Sequence, residues 1–229
     1  LRIRRQNEFN RRIADADTRP VIVSEGDSWF HFPIFLDDTI KHLFNTYNVW
    51  TVAAAGDTLD NMVIGNAEFM RALREHRGRI QAFLFSAGGN DVLGEDASGR
   101  SILASMINEF QEGKDDAAWY VESRGVSEKL AFVEDVYRRM ITAVTQEFPN
   151  LPILIHGYDY AIPGGGAGDT RRPKWAAQDK WIGGPLTRER KIKSHKLQRD
   201  IIRLLIDELN RRLMRLAGGN HGGMFTNVW

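Results

Sequence analysis

The chain has 229 residues with 31 Lys and Arg against 30 Asp and Glu, and this near-balance argues against a dedicated nucleic-acid binder. Apolar residues make up 42% of the chain, which excludes disorder, and no apolar run reaches the about 20 residues of a membrane-spanning helix. Because the chain has no cysteine, disulfide scaffolds, thiol nucleophiles and thiolate zinc sites are excluded. The chain opens without Met or an apolar signal core, so we expect native residues before Leu1, and the compartment stays open.

Short branched-apolar runs alternate with longer helical patterns, and this alternation is typical of parallel βαβ units. Continuous apolar runs favour strands buried on both faces, as a parallel sheet requires. The five predicted strands cover residues 21–23, 49–53, 80–85, 151–155 and 224–229. Neither an internal repeat nor a linker interrupts the pattern, so it predicts one α/β domain over residues 1–229.

Apolar residues at helical spacing predict two long helices, and less regular patterns predict two shorter ones. The predicted helices cover residues 34–47, 59–76, 130–148 and 197–216. Residues 94–127 and 163–187 follow the third and fourth predicted strands and are long for loops of a compact domain. Both leave the carboxyl ends of strands, where open α/β sheets place their ligands, but their sequences do not indicate a role.

Polar turn residues follow the first three predicted strands. Ser28 lies in a GDSW turn, Gly56 in a GDT turn and Asn90 in a GGND turn, and each turn alone is typical of ordinary strand–helix connections. Because the carboxyl ends of parallel strands lie on one edge, we expect the three residues to converge. A hydroxyl nucleophile, a backbone N–H without a side chain beside it and a carboxamide donor are the components of acyl transfer through an oxyanion.

The GDSW turn, Gly56 and the GGND turn resemble the first three blocks of the SGNH (GDSL-like) hydrolase superfamily, a likeness that spans residues 20–160. The resemblance implies a flavodoxin-like, three-layer αβα sandwich with a five-stranded parallel sheet. It implies that Ser28 is the nucleophile and that the oxyanion donors are the N–H groups of Ser28 and Gly56 and the Asn90 side chain. It also implies an acyl-enzyme mechanism on small esters, such as acylated sugars or lipids, without a metal or a cofactor.

The sequence departs from the family at the catalytic base. The family's last block is an Asp-x-x-His, which does not occur in these 229 residues, and we expect it beyond Trp229. Without a base, a serine is a poor nucleophile. Of the six histidines, His156 alone ends a predicted strand, and we expect it to bind or orient substrate together with Trp29. His42 and His76 are predicted to be solvated surface residues.

Two other functions stay open from the sequence. A non-catalytic SGNH-like domain would hold acyl or glycan ligands without turnover, and the missing base motif favours it. A two-metal phosphoesterase would draw on the Asp-rich turn at 56–60, the GND at 89–91 and the Gly-Asn-His at 219–221, although the opening Asp-x-His of such sites is missing. For partners, we predict a small-molecule ester and neither nucleic acid nor a membrane span, with the oligomeric state unknown.

Overall fold

The protein is described here by a computed structural model. The structure describes residues 1–32, 37–165, 169, 179 and 181–229. The beginning of the predicted helix 34–47 and most of the predicted loop 163–187 lie outside the described residues.

The chain divides into two compact units. The sheet unit comprises Leu1–Asn90, Asp135–His156 and Leu213–Trp229. The helical unit comprises Asp91–Glu134 and Gly157–Arg212. The four described strands belong to the sheet unit. The predicted catalytic residues Ser28, Gly56 and Asn90 and the predicted substrate-binding residues Trp29 and His156 also lie in it.

The described elements follow the alternation that the sequence predicts. The strands are β1 (Val21–Gly26), β2 (Asn48–Thr51), β3 (Ile80–Ser86) and β4 (Ile153–Ile155). The α-helices are α1 (Arg2–Ala14), α2 (Thr39–Leu43), α3 (Glu68–Glu75), α4 (Gly89–Leu93), α5 (Ile102–Met106), α6 (Ala117–Val121), α7 (Arg124–Glu147), α8 (His195–Leu216) and α9 (Gly218–His221). Two π-helical segments cover Asp60–Gly65 and Pro185–Glu189. None of the described helices is both long enough and apolar enough to cross a membrane.

The four described strands form a parallel sheet in the order β2-β1-β3-β4. Val23 of β1 is in register with Trp50 of β2 and Phe83 of β3, and Phe83 is in turn in register with Ile153 of β4. Since all pairs are parallel, every strand ends at the same edge of the sheet. The carboxyl ends of the strands are therefore neighbours, which the predicted site requires.

The predicted fifth strand over residues 224–229 is not confirmed. Val228 makes an isolated parallel bridge with Ile153, and the Trp229 N–H donates to the Ile153 carbonyl at 2.9 Å. Earlier in this segment, the Phe225 N–H donates to the Leu216 carbonyl at 3.0 Å, at the end of α8. Because the backbone there is bonded to the helix end, only the last residues follow β4. The three-layer, flavodoxin-like arrangement stays a prediction.

Helices and loops of the sheet unit pack on the apolar strands. On one face, a buried cluster joins strand residues to α2 and to the loops around it. Its members are Ile22, Phe30, Ile40, Phe44, Val49, Ala53 and Leu84. On the opposite face of β3, the Phe83 ring stacks on Phe69 of α3, with 5.5 Å between ring centroids. The Phe85 ring meets the Tyr137 ring of α7 edge-on, with 5.2 Å between centroids. These contacts fix the strand ends from which the candidate site begins.

Two of the predicted helices are wrong in extent, and the 13-residue helix α1 lies outside every predicted helix. The stretch 59–76 is broken between the π-helical segment and α3, where Ala67 has a φ of +43° that a continuous helix does not allow. In place of a helix over 34–47, α2 begins after Asp38, whose carboxylate accepts the Lys41 N–H at 2.9 Å. Helix α1 was missed because its buried face carries a charge: Arg5 pairs with Asp38 at 2.6 Å.

His76 is not the solvated residue that the sequence predicts. Its ring lies between Phe9 of α1 and Trp50 of β2, with ring centroids 5.1 and 4.9 Å away. Its Nε2 atom is buried and has no hydrogen-bond partner among the described residues. Burial lowers the pKa of His76, and the neighbouring Arg79 lowers it further against an opposing contribution from Glu75. The neutral imidazole therefore suits this place, and protonation opposes folding.

We expect His76→Phe to reduce the acid sensitivity of folding. Because the folded-state pKa of His76 is below its unfolded value of about 6.5, its stabilising effect is complete above that pH and is lost as the pH falls through the folded-state pKa. Thermal unfolding between pH 8 and pH 5 should show a smaller fall in Tm for the variant. His31, whose pKa burial also lowers, retains part of the effect. The exposed His42→Asn is the control, and an equal change there would contradict the assignment.

Candidate active site

The turns after β1, β2 and β3 begin side by side. Backbone hydrogen bonds continue past the strands, from the Asp27 N–H to the Ser86 carbonyl at 3.1 Å and from the Ala54 N–H to the Gly26 carbonyl at 2.9 Å. The Gly26 position has no room for a side chain, since a Cβ there would lie 2.9 Å from Phe30 and Ser86. The glycine of the GDSW turn therefore permits the close approach of β1 and β3 at the edge of the sheet.

Ser28 lies in a tight turn held by Asp27. The Asp27 carboxylate accepts the Trp29 N–H at 3.0 Å, and the Asp27 carbonyl accepts the N–H groups of Phe30 and His31 at 3.1 and 3.0 Å. Ser28 is half-buried, and its hydroxyl makes no hydrogen bond within the described part of the chain. The predicted nucleophile thus stands at a strand end in a turn whose shape is set by its neighbours.

Asn90 reaches the turn that contains Gly56. Its Nδ2 donates to the Asp57 carbonyl at 2.8 Å, so the third predicted turn is bonded to the second. Gly56 is exposed and has a φ of +80°, a left-handed conformation that favours glycine. A carboxamide nitrogen carries two hydrogens, and the bond to Asp57 uses one of them. The structure therefore brings Asn90 and the Gly56 turn together, whereas Ser28 has no hydrogen bond to either within the described residues.

His156 is bonded to a buried serine that the sequence did not indicate as part of the site. Its Nε2 lies 2.7 Å from Ser86 Oγ, and Ser86 Oγ lies 3.3 Å from the Asp27 carboxylate. Ser86 is fully buried, so it cannot reach a substrate itself. The His156 ring also meets Trp29 edge-on, with 6.3 Å between ring centroids. His156 thus lies beside the Ser28 turn, with its Nε2 hydrogen-bonded to Ser86.

The Asp27 carboxyl in this network is itself perturbed. Burial raises its pKa, while the Trp29 N–H, the nearby His156 and the Ser86 hydroxyl act in the opposite direction. The one feature of the sequence that points to this network is Ser86, a polar residue at the end of the apolar strand β3. Register with Gly26 then places Ser86 beside the GDSW turn. The sequence alone does not indicate the whole network, because the contact between Ser86 and the GDSW turn depends on the register of β1 and β3.

Glu25 is a second buried carboxyl at the end of β1. Glu25 is 2% exposed, and its carboxyl group accepts the Gly26 N–H at 2.9 Å. Burial raises its pKa well above the usual range, and the nearby Asp57 carboxylate adds to the effect against the Gly26 N–H. The neutral acid is therefore the form that suits the folded protein.

We expect Glu25→Gln to stabilise the fold at alkaline pH relative to acidic pH. Because the folded-state pKa is raised, the stabilising effect of the neutral acid is complete below the unfolded value of about 4.3 and is lost as the pH rises through the folded-state pKa. The amide does not ionise, so the Tm difference between variant and wild type should grow from pH 4.5 to pH 8.5. The exposed Glu112→Gln should show no such trend. A constant Tm difference for Glu25→Gln would refute the assignment.

Comparison with known proteins gives structural likeness but no family match. No protein-family model and no curated protein sequence matches the chain. It is similar to a protein provisionally named a platelet activating factor from Streptococcus pneumonia, with a TM-score of 0.43 and 15% identity over 100% of this chain and 72% of that one. It is also similar to a protein provisionally named a GDSL-like lipase from Parabacteroides merdae, with a TM-score of 0.32 and 11% identity over 84% of this chain and 96% of that one. The activity proposed below therefore rests on this chain's own residues.

Within the part of the chain that the structure describes, no group of three or more His, Asp or Glu side chains is placed to hold a metal ion. Asp57, which the two-metal alternative would use, instead accepts the Thr58 N–H at 2.9 Å and the Asn61 amide at 2.6 Å through its carboxylate. Through these bonds, Asp57 orders the turn after β2.

Proposed function

We propose that the chain is a serine ester hydrolase of the SGNH type with Ser28 as its nucleophile. The substrate class is a small ester, such as an acylated sugar or a lipid-like ester. The position of Ser28 supports this proposal, because a half-buried hydroxyl at a strand end, in a turn ordered by Asp27, is accessible and has a defined place.

In the proposed reaction, Ser28 Oγ forms a bond to the ester carbonyl carbon while its proton passes to a general base, for which the family motif supplies a histidine. The carbonyl electrons move to the oxygen, and the N–H groups of Ser28 and Gly56 and the Asn90 amide stabilise that oxyanion. The tetrahedral intermediate then expels the alcohol, which takes up the proton. Water hydrolyses the acyl-enzyme by the same sequence of steps, releasing the acid and restoring the Ser28 hydroxyl.

The single observation that carries the proposal is the hydrogen bond from Asn90 to the Asp57 carbonyl. It fixes the carboxamide beside Gly56, at the sheet edge where the Ser28 turn begins. One amide hydrogen is committed to this bond, and the other is available to an oxyanion without any change of protonation state. Preorganised donors of this kind account for a large share of the catalysis in acyl transfer.

Trp29 and His156 are proposed to contact the substrate. Trp29 is 57% exposed although it is a large apolar residue, and its ring is edge-on to His156. An indole face suits an acyl chain or the apolar face of a sugar, and the imidazole adds a polar group. The bond between His156 and Ser86 fixes the orientation of that imidazole.

A fluorophosphonate probe tests the proposal on the complete gene product. We expect covalent labelling that peptide mass spectrometry locates on Ser28, together with hydrolysis of p-nitrophenyl acetate or butyrate. Absence of both would favour the non-catalytic binding domain. Hydrolysis of bis-p-nitrophenyl phosphate that a chelator abolishes would favour the metal-dependent phosphoesterase, and either result would overturn the serine mechanism.

A further inference from the structure

The Tyr137 hydroxyl binds both polar backbone groups of one residue in the third turn. It donates to the Ala87 carbonyl at 2.8 Å and accepts the Ala87 N–H at 3.1 Å. Tyr137 and Ala87 are 0% and 1% exposed, so water does not compete for these bonds. A hydroxyl that satisfies the N–H and the C=O of the same residue fixes the two peptide planes on either side of it. Tyr137 therefore fixes the backbone at the point where the chain leaves β3.

The backbone that Tyr137 holds leads directly to Asn90. Gly88 follows Ala87 with a φ of +102°, a conformation that favours glycine, and Asn90 comes two residues later. At its far end, the Asn90 Nδ2 is bonded to the Asp57 carbonyl at 2.8 Å. The turn from Ala87 to Asn90 is thus fixed at both ends, by a side chain from α7 at the first residue and by the turn after β2 at the last.

The ring of Tyr137 has a packing role that is separate from its hydroxyl. It meets Phe85 edge-on at 5.2 Å, and phenylalanine would retain this contact. The hydroxyl adds the two bonds to Ala87. Substitution of Tyr137 by phenylalanine therefore removes the bonds to the turn while the core remains filled.

We propose that Tyr137 is a positioning residue that holds the Asn90 amide in place for the oxyanion, an inference that rests on the function proposed above. Without the hydroxyl, a buried N–H and a buried C=O of Ala87 lose a partner, and the turn loosens at one end. A displacement of about 1 Å at a reacting site can cost about 10²-fold in rate. Tyr137 is buried and does not touch substrate, so it acts on the reaction through the turn that carries Asn90.

Steady-state kinetics of Tyr137→Phe on a p-nitrophenyl ester, with the complete gene product, test this role. We expect kcat to fall by about 10-fold to 100-fold with KM unchanged. In the double variant with Asn90→Ala, we expect no fall beyond that of Asn90→Ala alone, because the two residues act through one donor. Tyr120→Phe is the matched control: Tyr120 is also fully buried and donates to a backbone carbonyl, that of Lys114 at 2.8 Å in the helical unit.

Hydrogen exchange separates a failure of this inference from a failure of the proposed function. In Tyr137→Phe, the amides of residues 87–90 should exchange faster than in wild type, whether or not the protein hydrolyses esters. Unchanged exchange there, or additive kcat losses in the double variant, would overturn the positioning role. Faster exchange with an unchanged kcat, in a protein whose activity depends on Ser28, would also overturn it. Activity that does not depend on Ser28 would instead refute the proposed function, and the positioning role would fall with it.

Discussion

Replacement of Ser28 by alanine is expected to lower kcat for ester hydrolysis by the complete gene product by about four to six orders of magnitude. Loss of the nucleophile removes the covalent route, and only binding and oxyanion stabilisation remain to assist attack by water. The fold should be unaffected, because the Ser28 hydroxyl makes no hydrogen bond among the described residues and the turn is held by Asp27. Fluorophosphonate labelling should disappear together with the hydrolysis of p-nitrophenyl esters.

Ser98→Ala is a suitable control for this experiment, since Ser98 is an exposed serine of the helical unit that bonds to Asp96. It should retain both labelling and activity. A Ser28→Ala protein that keeps its wild-type Tm and hydrolyses the ester at near the wild-type rate would refute the serine mechanism. A fall in Tm of several degrees would indicate a structural role for Ser28 in place of a chemical one.

The sequence predicted the elements where apolar spacing alone decides the structure. Each of the first four predicted strands overlaps one that the structure contains, but β1 extends past residue 23 because the sheet buries Ser24 and Glu25, whose polarity does not indicate a strand. Helix α1 was not predictable in the same way, because the pairing of Arg5 with Asp38 is a tertiary contact. The break at Ala67 was missed because a left-handed residue without glycine leaves no trace in the sequence.

Turn chemistry located the candidate site residues, and tertiary register determined the rest of the site. Asn90 was found because a polar turn follows a buried strand, and its bond to the Gly56 turn agrees with the expected meeting of strand ends. Ser86 and Tyr137 were missed, since each has an apolar pattern around it that predicts only a strand and a core helix. Tyr137 lies 50 residues from Ala87 along the chain, so their contact depends on how α7 packs on β3.

Replacement of Asn90 by alanine is expected to lower kcat by about 10²–10³-fold while KM changes little, the size of loss that follows deletion of one oxyanion donor. The reason is differential binding, since the carboxamide stabilises the negative oxygen of the tetrahedral intermediate more than the neutral carbonyl of the bound ester. Asn90→Asp should be at least as damaging, because a carboxylate has no N–H to donate and repels both the oxyanion and the Asp57 carbonyl. Steady-state kinetics on p-nitrophenyl butyrate at several pH values measure both losses.

A lower kcat in Asn90→Ala could also arise because the variant loosens the turn after β2. The variant Asn61→Ala distinguishes this explanation from the loss of an oxyanion donor. Asn61 Nδ2 donates to the Asp57 carboxylate at 2.6 Å, so Asn61→Ala also removes an amide bond to that turn. Asn61 is exposed on the π-helical segment and has no part in the proposed oxyanion site. Asn61→Ala also removes the bond that Asn61 Oδ1 accepts from Asn66 Nδ2 at 3.1 Å, and both lost bonds are exposed. We expect the variant to keep kcat within about threefold of wild type, as surface substitutions usually do. Equal losses in both variants would show that order in the Asp57 turn, and not a hydrogen bond to the oxyanion, limits the rate.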